Sequence, residues 1–288
     1  MRAPGLAANS FARRVEQSGG QFQNEAGDTH LLKSIARLAF YRAGGLQLVR
    51  YVNRRALRVL TYHRFESAGR SAAAALDWQC AYLRQHYHLV SLTQVAEWLA
   101  EKRAFPLNAL AITVDDGYRD FFTVAFPVFS AYRMPVTLFL TTDFLDHKCW
   151  LWWDRLSYAL DHTARRAVEL PLAARGTQRF SVETEEQRAH AFRASAAAVQ
   201  KMPNQERLEL IDRLPEFFGI RWPAELPPGC EPLTWGEVRL MSRNGIEFGG
   251  HTKTHPYLSR VARPEDLREE IEGCKVRIEE EPRSARPA

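Results

Sequence analysis

Two short polar clusters, far apart in the chain, contain the residue types of a metal-dependent catalytic site. The first is Asp115-Asp116-Gly117, which follows the apolar run at residues 110–114. Two neighbouring carboxylates can have different roles, so that one binds a metal ion and the other accepts a proton. The alternative interpretation is a turn in which the aspartates hydrogen-bond to their own backbone.

The second cluster, at residues 249–256, contains two histidines four positions apart. Its sequence is Gly-Gly-His-Thr-Lys-Thr-His-Pro, and the histidines are His251 and His255. One helical turn would place both imidazoles on the same side of the backbone. Two imidazoles and one carboxylate leave coordination positions open, as catalytic metal centres require. The alternative is a pair of surface histidines in a loop.

Alternating strands and helices are predicted to position these clusters. Apolar runs predict strands at 57–62, 88–90, 110–114, 136–140 and 246–249, and helical periodicity predicts helices at 76–85, 92–101, 121–132, 235–243 and 263–280, with Ser91 as an N-cap. This alternation indicates an α/β fold with a parallel sheet covered by helices. Because functional residues gather at the carboxyl ends of parallel strands, we expect the two polar clusters to face one rim of the sheet.

Residues 145–232 interrupt this alternation. Helical stretches are predicted at 153–162, 185–200 and 205–218, with no strand, and Pro227-Pro228-Gly229 marks the end of this helical insertion. Three tryptophans near its start, Trp150, Trp152 and Trp153, either offer aromatic rings to a ligand or pack the insertion against the domain. His63, at the end of the first strand, either faces the same rim as the two clusters in a direct role or is a partly buried, hydrogen-bonded histidine.

These motifs resemble those of the polysaccharide deacetylases of carbohydrate esterase family 4, which have the NodB homology domain and include chitooligosaccharide and peptidoglycan deacetylases. The resemblance extends over residues 57–275 and is carried by Thr-x-Asp-Asp-Gly-Tyr at 113–118 and Gly-Gly-His-Thr-x-Thr-His-Pro-x-Leu-Ser at 249–259. It implies a distorted (β/α) barrel that removes N-acetyl groups from polysaccharide or oligosaccharide amino sugars of the cell envelope. The implied cofactor is a divalent metal, usually zinc in this family.

The resemblance also implies roles for individual residues. Asp115 would be the general base, and the metal ligands would be Asp116, His251 and His255. Thr252 would support the histidine loop by hydrogen bonding. Contact with substrate, or support of the residues that make it, is expected for His63, Tyr118, Thr252, Trp152 and Trp153.

The C-terminal part of the chain departs from the family pattern. Family motifs that supply an oxyanion N–H group, a residue that tunes the base and a general-acid histidine do not follow the last helix, and the chain reads Pro-Arg-Ser-Ala-Arg-Pro-Ala after Glu281. We therefore expect an incomplete, open barrel within a domain at 57–281, with the strand at 246–249 near an edge and a disordered tail at 282–288. The alternative function is that of an impaired remnant that at most binds metal or glycan.

Positive charge is concentrated near the N-terminus. The first 64 residues contain eleven Lys and Arg against three Asp and Glu, whereas the remainder contains 28 against 31. The catalytic region therefore lacks the basic character of a nucleic-acid-binding domain. Residues 1–28 are predicted to be a disordered leader. Residues 29–56 are predicted to be a basic amphipathic helical arm, which either contacts an anionic membrane surface or packs on the domain.

Targeting signals and paired cysteines are not evident in the sequence. No run of about 18 apolar residues predicts a transmembrane helix, and no apolar run follows the first arginines as in a signal peptide. Localisation is therefore left open between the cytoplasm and the membrane surface, while the family implies a role at the envelope. The four cysteines are scattered, which favours free thiols over a disulfide.

Overall fold

A computed structural model describes residues 37, 39–40, 42–65, 71–172 and 176–281. The predicted leader at 1–28 and tail at 282–288 lie outside the described residues, as does part of the predicted N-terminal arm. Among the helices described, none is long and apolar enough to cross a membrane.

The described chain alternates between strands and helices, apart from the segment that begins near residue 145. The strands are β1 Arg58–Tyr62, β2 His88–Leu89, β3 Ala109–Val114, β4 Val136–Leu140, β5 Ala167–Pro171, β6 Thr177–Ser181 and β7 Glu247–Gly250. The α-helices are α1 Gly45–Val52, α2 Ser71–His86, α3 Leu92–Ala100, α4 Phe126–Ala131, α5 Thr142–Leu145, α6 Trp152–His162, α7 Glu185–Val199, α8 Asn204–Asp212, α9 Leu214–Phe218, α10 Trp235–Arg243, α11 Pro264–Arg268 and α12 Cys274–Glu280. Two π-helical segments, Phe121–Ala125 and Glu269–Gly273, precede α4 and α12, and Leu258–Arg260 is a 3₁₀-helix.

The central sheet is parallel and open. Its order is β1-β3-β4-β7, and β2 pairs with the first residues of β3. The predicted parallel sheet is thus confirmed, and in the described residues β7 forms one edge of it, also as predicted. The sheet does not close into a barrel there, because β1 and β7 each pair with one neighbour.

Strand β3 lies in the interior of the sheet, and all six of its residues are buried. Leu110, Ile112 and Val114 belong to the main hydrophobic core. Ala109 and Ala111 alternate with them and belong to a smaller cluster on the opposite face. A strand covered on both faces reads as a continuous apolar run, which is why the sequence predicted β3 almost to the residue.

The segment between α5 and α10 has its own hydrophobic cluster, drawn from residues 152–218. The expectation of no strand in this insertion is wrong, because β5 and β6 form an antiparallel hairpin. Val168, Leu170 and Phe180 are buried, whereas Glu169, Pro171, Arg179 and Ser181 beside them are exposed. An alternation of only five residues is a weak signal, so periodicity did not find it.

The predicted helix at 205–218 is two helices, α8 and α9. Pro215 lies in the first turn of α9. Proline has no backbone N–H to continue a preceding helix but is tolerated where a new one begins. Elsewhere the helix predictions hold, and Ser91 forms the expected N-cap, with Gln94 completing a capping box.

A partly buried ionic contact joins the end of α5 to α10 and α12. Asp146, directly after α5, accepts hydrogen bonds from Arg277 Nη2 at 2.9 Å and from Trp235 Nε1 at 2.8 Å. The Arg277 guanidinium lies 4.3 Å from the centroid of the Trp235 ring. These contacts hold the pKa of Asp146 well below its usual range, although burial alone would raise it. The contact therefore fixes α10 and α12 relative to the turn that follows β4.

Asp146→Ala should lower the free energy of unfolding by about 2 kcal/mol, because it leaves a partly buried guanidinium and an indole N–H without their acceptor. Denaturant unfolding followed by circular dichroism measures the change. Lys148→Ala is the control: Lys148 also pairs with Asp146, but its side chain is 60% exposed, so we expect a change within about 0.5 kcal/mol. Equal losses of unfolding free energy in the two variants would show that the contact of Asp146 with Arg277 and Trp235 does not stabilise the fold.

Candidate metal centre

Asp116 enters the site through a left-handed turn at the end of β3. Its φ is 77° and that of Gly117 is 93°. A Cβ atom at position 117 would lie 2.8 Å from Leu145 Cδ1, so glycine is required both by conformation and by space. The turn carries the Asp116 carboxylate into the protein, where the residue is 2% exposed.

His251 and His255 lie on the loop that follows β7. The His251 N–H donates to the carbonyl of Leu140, at the end of β4, at 2.8 Å. Thr252 and His255 have φ values of 65° and 59°, which bend the loop back on itself. Thr252 Oγ1 accepts a hydrogen bond from the His255 N–H at 3.1 Å. This bond closes the turn and directs both imidazoles toward Asp116.

The three side chains predicted to bind metal converge. Asp116 Oδ1 lies 3.5 Å from His251 Nε2 and 3.3 Å from His255 Nε2. The two Nε2 atoms are 3.1 Å apart. Asp116 Oδ1 is buried and, among the described protein atoms, has no hydrogen-bond partner. An unpaired buried carboxylate oxygen facing two imidazole nitrogens fits a divalent cation, and these residues could hold one.

The electrostatics of the cluster also suit a cation. Burial alone would raise the pKa of Asp116, but the facing imidazoles of His255, His63 and His251 outweigh it and hold the pKa below its usual value. Burial and the neighbouring His255 lower the pKa of His251. The site therefore favours an ionised carboxylate and a neutral imidazole at His251, which are the ligand forms a metal requires.

Asp115 lies beside this cluster with a different partner. Its Oδ2 atom is 3.7 Å from His63 Nε2, and the two side chains are 17% and 55% exposed, respectively. Burial raises the pKa of Asp115, against the opposing effect of His251 and His63. The adjacent aspartates thus have different surroundings, and His63 reaches the same rim as the metal cluster.

Of the aromatic residues singled out in the sequence, only Trp153 contacts a candidate ligand. Its ring lies edge-on to His255, with centroids 4.8 Å apart. Its Nε1 donates to the hydroxyl of Tyr118 at 2.8 Å. Tyr118 is fully buried, and Trp152 packs against Trp153 and Tyr257. Trp152 and Tyr118 therefore support the site from within the protein.

Sequence reasoning missed two charged residues behind the site. Asp154 is buried, accepts the Tyr118 hydroxyl hydrogen bond at 2.6 Å and has its pKa raised by burial to about 7. The Arg64 guanidinium lies 3.8 Å from the centroid of the Tyr118 ring. Arg64 follows His63 in the sequence, and Asp154 follows the tryptophan pair, but neither position belongs to a motif that signals a buried charge.

Comparison with known proteins identifies the family of this chain. The sequence model of one family, described as polysaccharide deacetylase, matches residues 102–287, more than half of the chain. The chain belongs to the polysaccharide deacetylase family. The match includes both polar clusters of the candidate metal centre.

Individual relatives of this deacetylase-family chain are distant or match over short segments. The poly-beta-1,6-N-acetyl-D-glucosamine N-deacetylase of Escherichia coli K12 is 38% identical over 63 residues, which cover 22% of this chain and 9% of that protein. The Streptococcus pyogenes deacetylase PplD, solved with acetate, is 14% identical with a TM-score of 0.46, covering 78% of this chain and 68% of that one. IcaB from Ammonifex degensii is 16% identical with a TM-score of 0.43, covering 78% and 69%.

Substitution of the two adjacent aspartates should separate their roles. Asp116→Asn replaces a carboxylate oxygen of the converging set and should weaken Zn²⁺ binding beyond the roughly 10–100-fold typical of supporting residues. Asp115→Asn, the matched control one residue away, should bind Zn²⁺ about as tightly as the parent protein. Titration against a chromophoric chelator measures both affinities. Loss of binding in Asp115→Asn but not in Asp116→Asn would reverse the assignment.

Proposed function

We propose that this chain is a metal-dependent hydrolase that removes N-acetyl groups from a polysaccharide or oligosaccharide of amino sugars. The observation that carries the proposal is the buried Asp116 oxygen, which has no well-aligned hydrogen bond and faces two imidazoles, with a second carboxylate and a third histidine beside it. The family match supports the same reaction class.

The proposed metal ligands are Asp116, His251 and His255. Two nitrogens and one oxygen are a common donor set for catalytic zinc, which makes zinc the proposed ion. When bound, the ion would supply a Lewis acid that polarises the acetyl carbonyl and lowers the pKa of the attacking water. The loop bearing the histidines and the turn bearing Asp116 hold these donors at one place on the rim of the sheet.

Asp115 is the proposed general base. Its carboxylate flanks the three ligands and remains partly exposed, so it can accept the proton of a water that attacks the acetyl carbon. Burial, which raises its pKa, brings a carboxylate closer to the range in which proton transfer is efficient.

His63 is the proposed proton donor to the leaving amine. Attack by water forms one C–O bond, and cleavage of the C–N bond releases acetate and an amine that needs a proton. The His63 imidazole is half-exposed at the rim, 3.7 Å from Asp115 Oδ2, so it can reach the leaving nitrogen.

The proposed substrate is a polymer of N-acetylglucosamine. This rests on the 38% identity over 63 residues to the Escherichia coli enzyme whose name specifies such a polymer. The partly exposed Trp153 ring beside His255 offers an apolar surface on which a sugar ring can lie next to the site.

Zn²⁺-loaded protein should release acetate from N-acetylglucosamine oligomers with β-1,6 or β-1,4 linkages. His63→Ala should lower kcat by roughly 10²–10⁴-fold, the range for loss of a general acid, while Zn²⁺ affinity is retained. Asp115→Asn should abolish turnover. His190→Ala, which removes an exposed histidine of α7, should leave kcat unchanged. An enzyme-coupled assay of acetate release measures kcat, and chelator competition measures the Zn²⁺ affinity.

Two outcomes would contradict parts of this proposal. If His63→Ala and His190→Ala have the same kcat, His63 is not the proton donor. If the parent protein binds Zn²⁺ but releases no acetate from either polymer, the chain is the metal- or glycan-binding remnant.

We also propose that the N-terminal arm contacts an anionic membrane surface. On α1, the side chains of Leu48, Tyr51 and Val52 are 61%, 63% and 67% exposed, so this helix does not pack its apolar face on the described domain. The sequence from 29 to 65 contains no Asp or Glu. A helix with exposed apolar residues among arginines matches the chemistry of an anionic lipid surface.

Leu48→Ser/Val52→Ser should weaken binding to vesicles containing anionic lipid by about tenfold or more, because each buried aliphatic side chain contributes on the order of 1–2 kcal/mol. Sedimentation with vesicles measures the bound fraction, which should fall as salt is raised. Leu107→Ser is the control, since Leu107 is 58% exposed outside α1. Equal binding to neutral vesicles, or no difference between the variants, would rule out the proposed contact.

A further inference from the structure

The histidine loop is held from outside by one carboxylate of the C-terminal helical segment. Glu270 Oε2 accepts hydrogen bonds from the backbone N–H of Lys253 at 2.9 Å and from that of Thr254 at 2.8 Å. Glu270 Oε1 lies 2.5 Å from Thr254 Oγ1, which donates to it. Three donors of the loop between the two candidate metal ligands therefore converge on a single side chain.

The shape of this loop needs such an acceptor. Thr252 and His255, on either side of the bound segment, both have left-handed φ values, a conformation that is unfavourable for residues other than glycine and persists only where surrounding contacts impose it. The bend directs two consecutive N–H groups outward to the same point. A carboxylate is a strong acceptor for convergent N–H groups, so Glu270 stabilises the bent loop against straighter alternatives.

Glu270 lies at a local irregularity of its helix. The residue lies in the π-helical segment Glu269–Gly273, between α11 and α12. π-Helical turns are uncommon and occur frequently at functional sites. The neighbouring Glu269 pairs with Lys253 Nζ at 2.5 Å, but that contact involves an exposed side chain, whereas Glu270 binds the loop backbone itself.

We propose that Glu270 is a positioning residue for the metal centre: by binding the Lys253 and Thr254 backbone it fixes the separation of His251 and His255 and thereby sets metal affinity. This rests on the proposed function of the Asp116/His251/His255 cluster. Glu270 lies outside the converging set of ligand atoms and acts through the loop.

Glu270→Ala should weaken Zn²⁺ binding by roughly 10–100-fold, the range for residues that orient metal ligands, as measured by chelator competition. It should also alter the d–d absorption of the Co²⁺-substituted protein, which reports ligand geometry. Glu270→Gln should restore most of the affinity, because its amide oxygen can accept both N–H groups while its amide nitrogen donates to Thr254 Oγ1. Glu269→Ala, the matched control on the same turn, should leave both readouts unchanged.

Thr254→Val provides a second variant that keeps Glu270 and removes one of its three donors, and it should weaken binding by a smaller factor than Glu270→Ala. Parent-like Zn²⁺ affinity and Co²⁺ spectrum in both Glu270→Ala and Thr254→Val would overturn the positioning role while leaving the metal centre intact. Failure of the parent protein to bind Zn²⁺ or Co²⁺ at all would overturn the metal centre itself, and the positioning role with it.

Discussion

The carboxylate of Asp116 is the constraint on which the rest of the site depends. A charged oxygen that is buried and lacks a hydrogen-bond partner in the described protein is costly unless positive charge compensates it. The facing imidazoles lower the pKa of Asp116 despite its burial, but the Nε2 atoms of His251 and His255 lie 3.5 and 3.3 Å from Oδ1 and form no well-aligned hydrogen bond with it. A metal ion would satisfy this oxygen and both imidazole nitrogens together, which is why the cluster is more readily explained as a binding site than as a structural contact.

The turn after β4 holds the two halves of this site together. The N–H of Thr141 donates to the carbonyl of Asp116 at 3.2 Å, and the carbonyl of Leu140 accepts from His251 at 2.8 Å. Two residues further along the turn, the Asp143 N–H donates to the carbonyl of Lys253 at 2.9 Å. Because β4 lies between β3 and β7 in the sheet, its last residues can hydrogen-bond to both loops at once. The distance between the candidate ligands is therefore set by backbone hydrogen bonds, with Glu270 acting on the outer side of the loop.

A buried aromatic and ionic network connects the inserted segment to the same site. Trp153 contacts His255 with its ring and donates to Tyr118, whose hydroxyl binds Asp154. Arg64 lies over the Tyr118 ring and belongs to the same short stretch as His63. The first strand and the start of the insertion thus meet behind the metal cluster, so a change in either can alter the orientation of His255 or His63. Of the two tryptophans, Trp152 therefore packs inside the protein, against Trp153 and Tyr257.

Much of the fold could be predicted from the sequence because its signals are local. The apolar run at β3 and the N-cap of α3 depend on residues within a few positions of one another. The β5–β6 hairpin was missed because its alternation is short, and the break before α9 because the proline was taken as part of one helix. The candidate ligands could also be found from the sequence, since the adjacent aspartates and the two histidines four positions apart are each a local pattern.

Only the tertiary structure decided which residues accompany those ligands. His63 is 52 positions from Asp115, and Glu270 is 16 and 17 positions from the backbone groups that it binds. These relations depend on strand order and helix packing, which no local pattern encodes. The sequence by itself thus determined the family, the strands of the central sheet and the candidate metal ligands, because each follows from neighbouring residues. The folded chain decided the partner of Asp115 and the support of the histidine loop, because hydrogen bonds form between groups that are close in space, whatever their separation in the sequence.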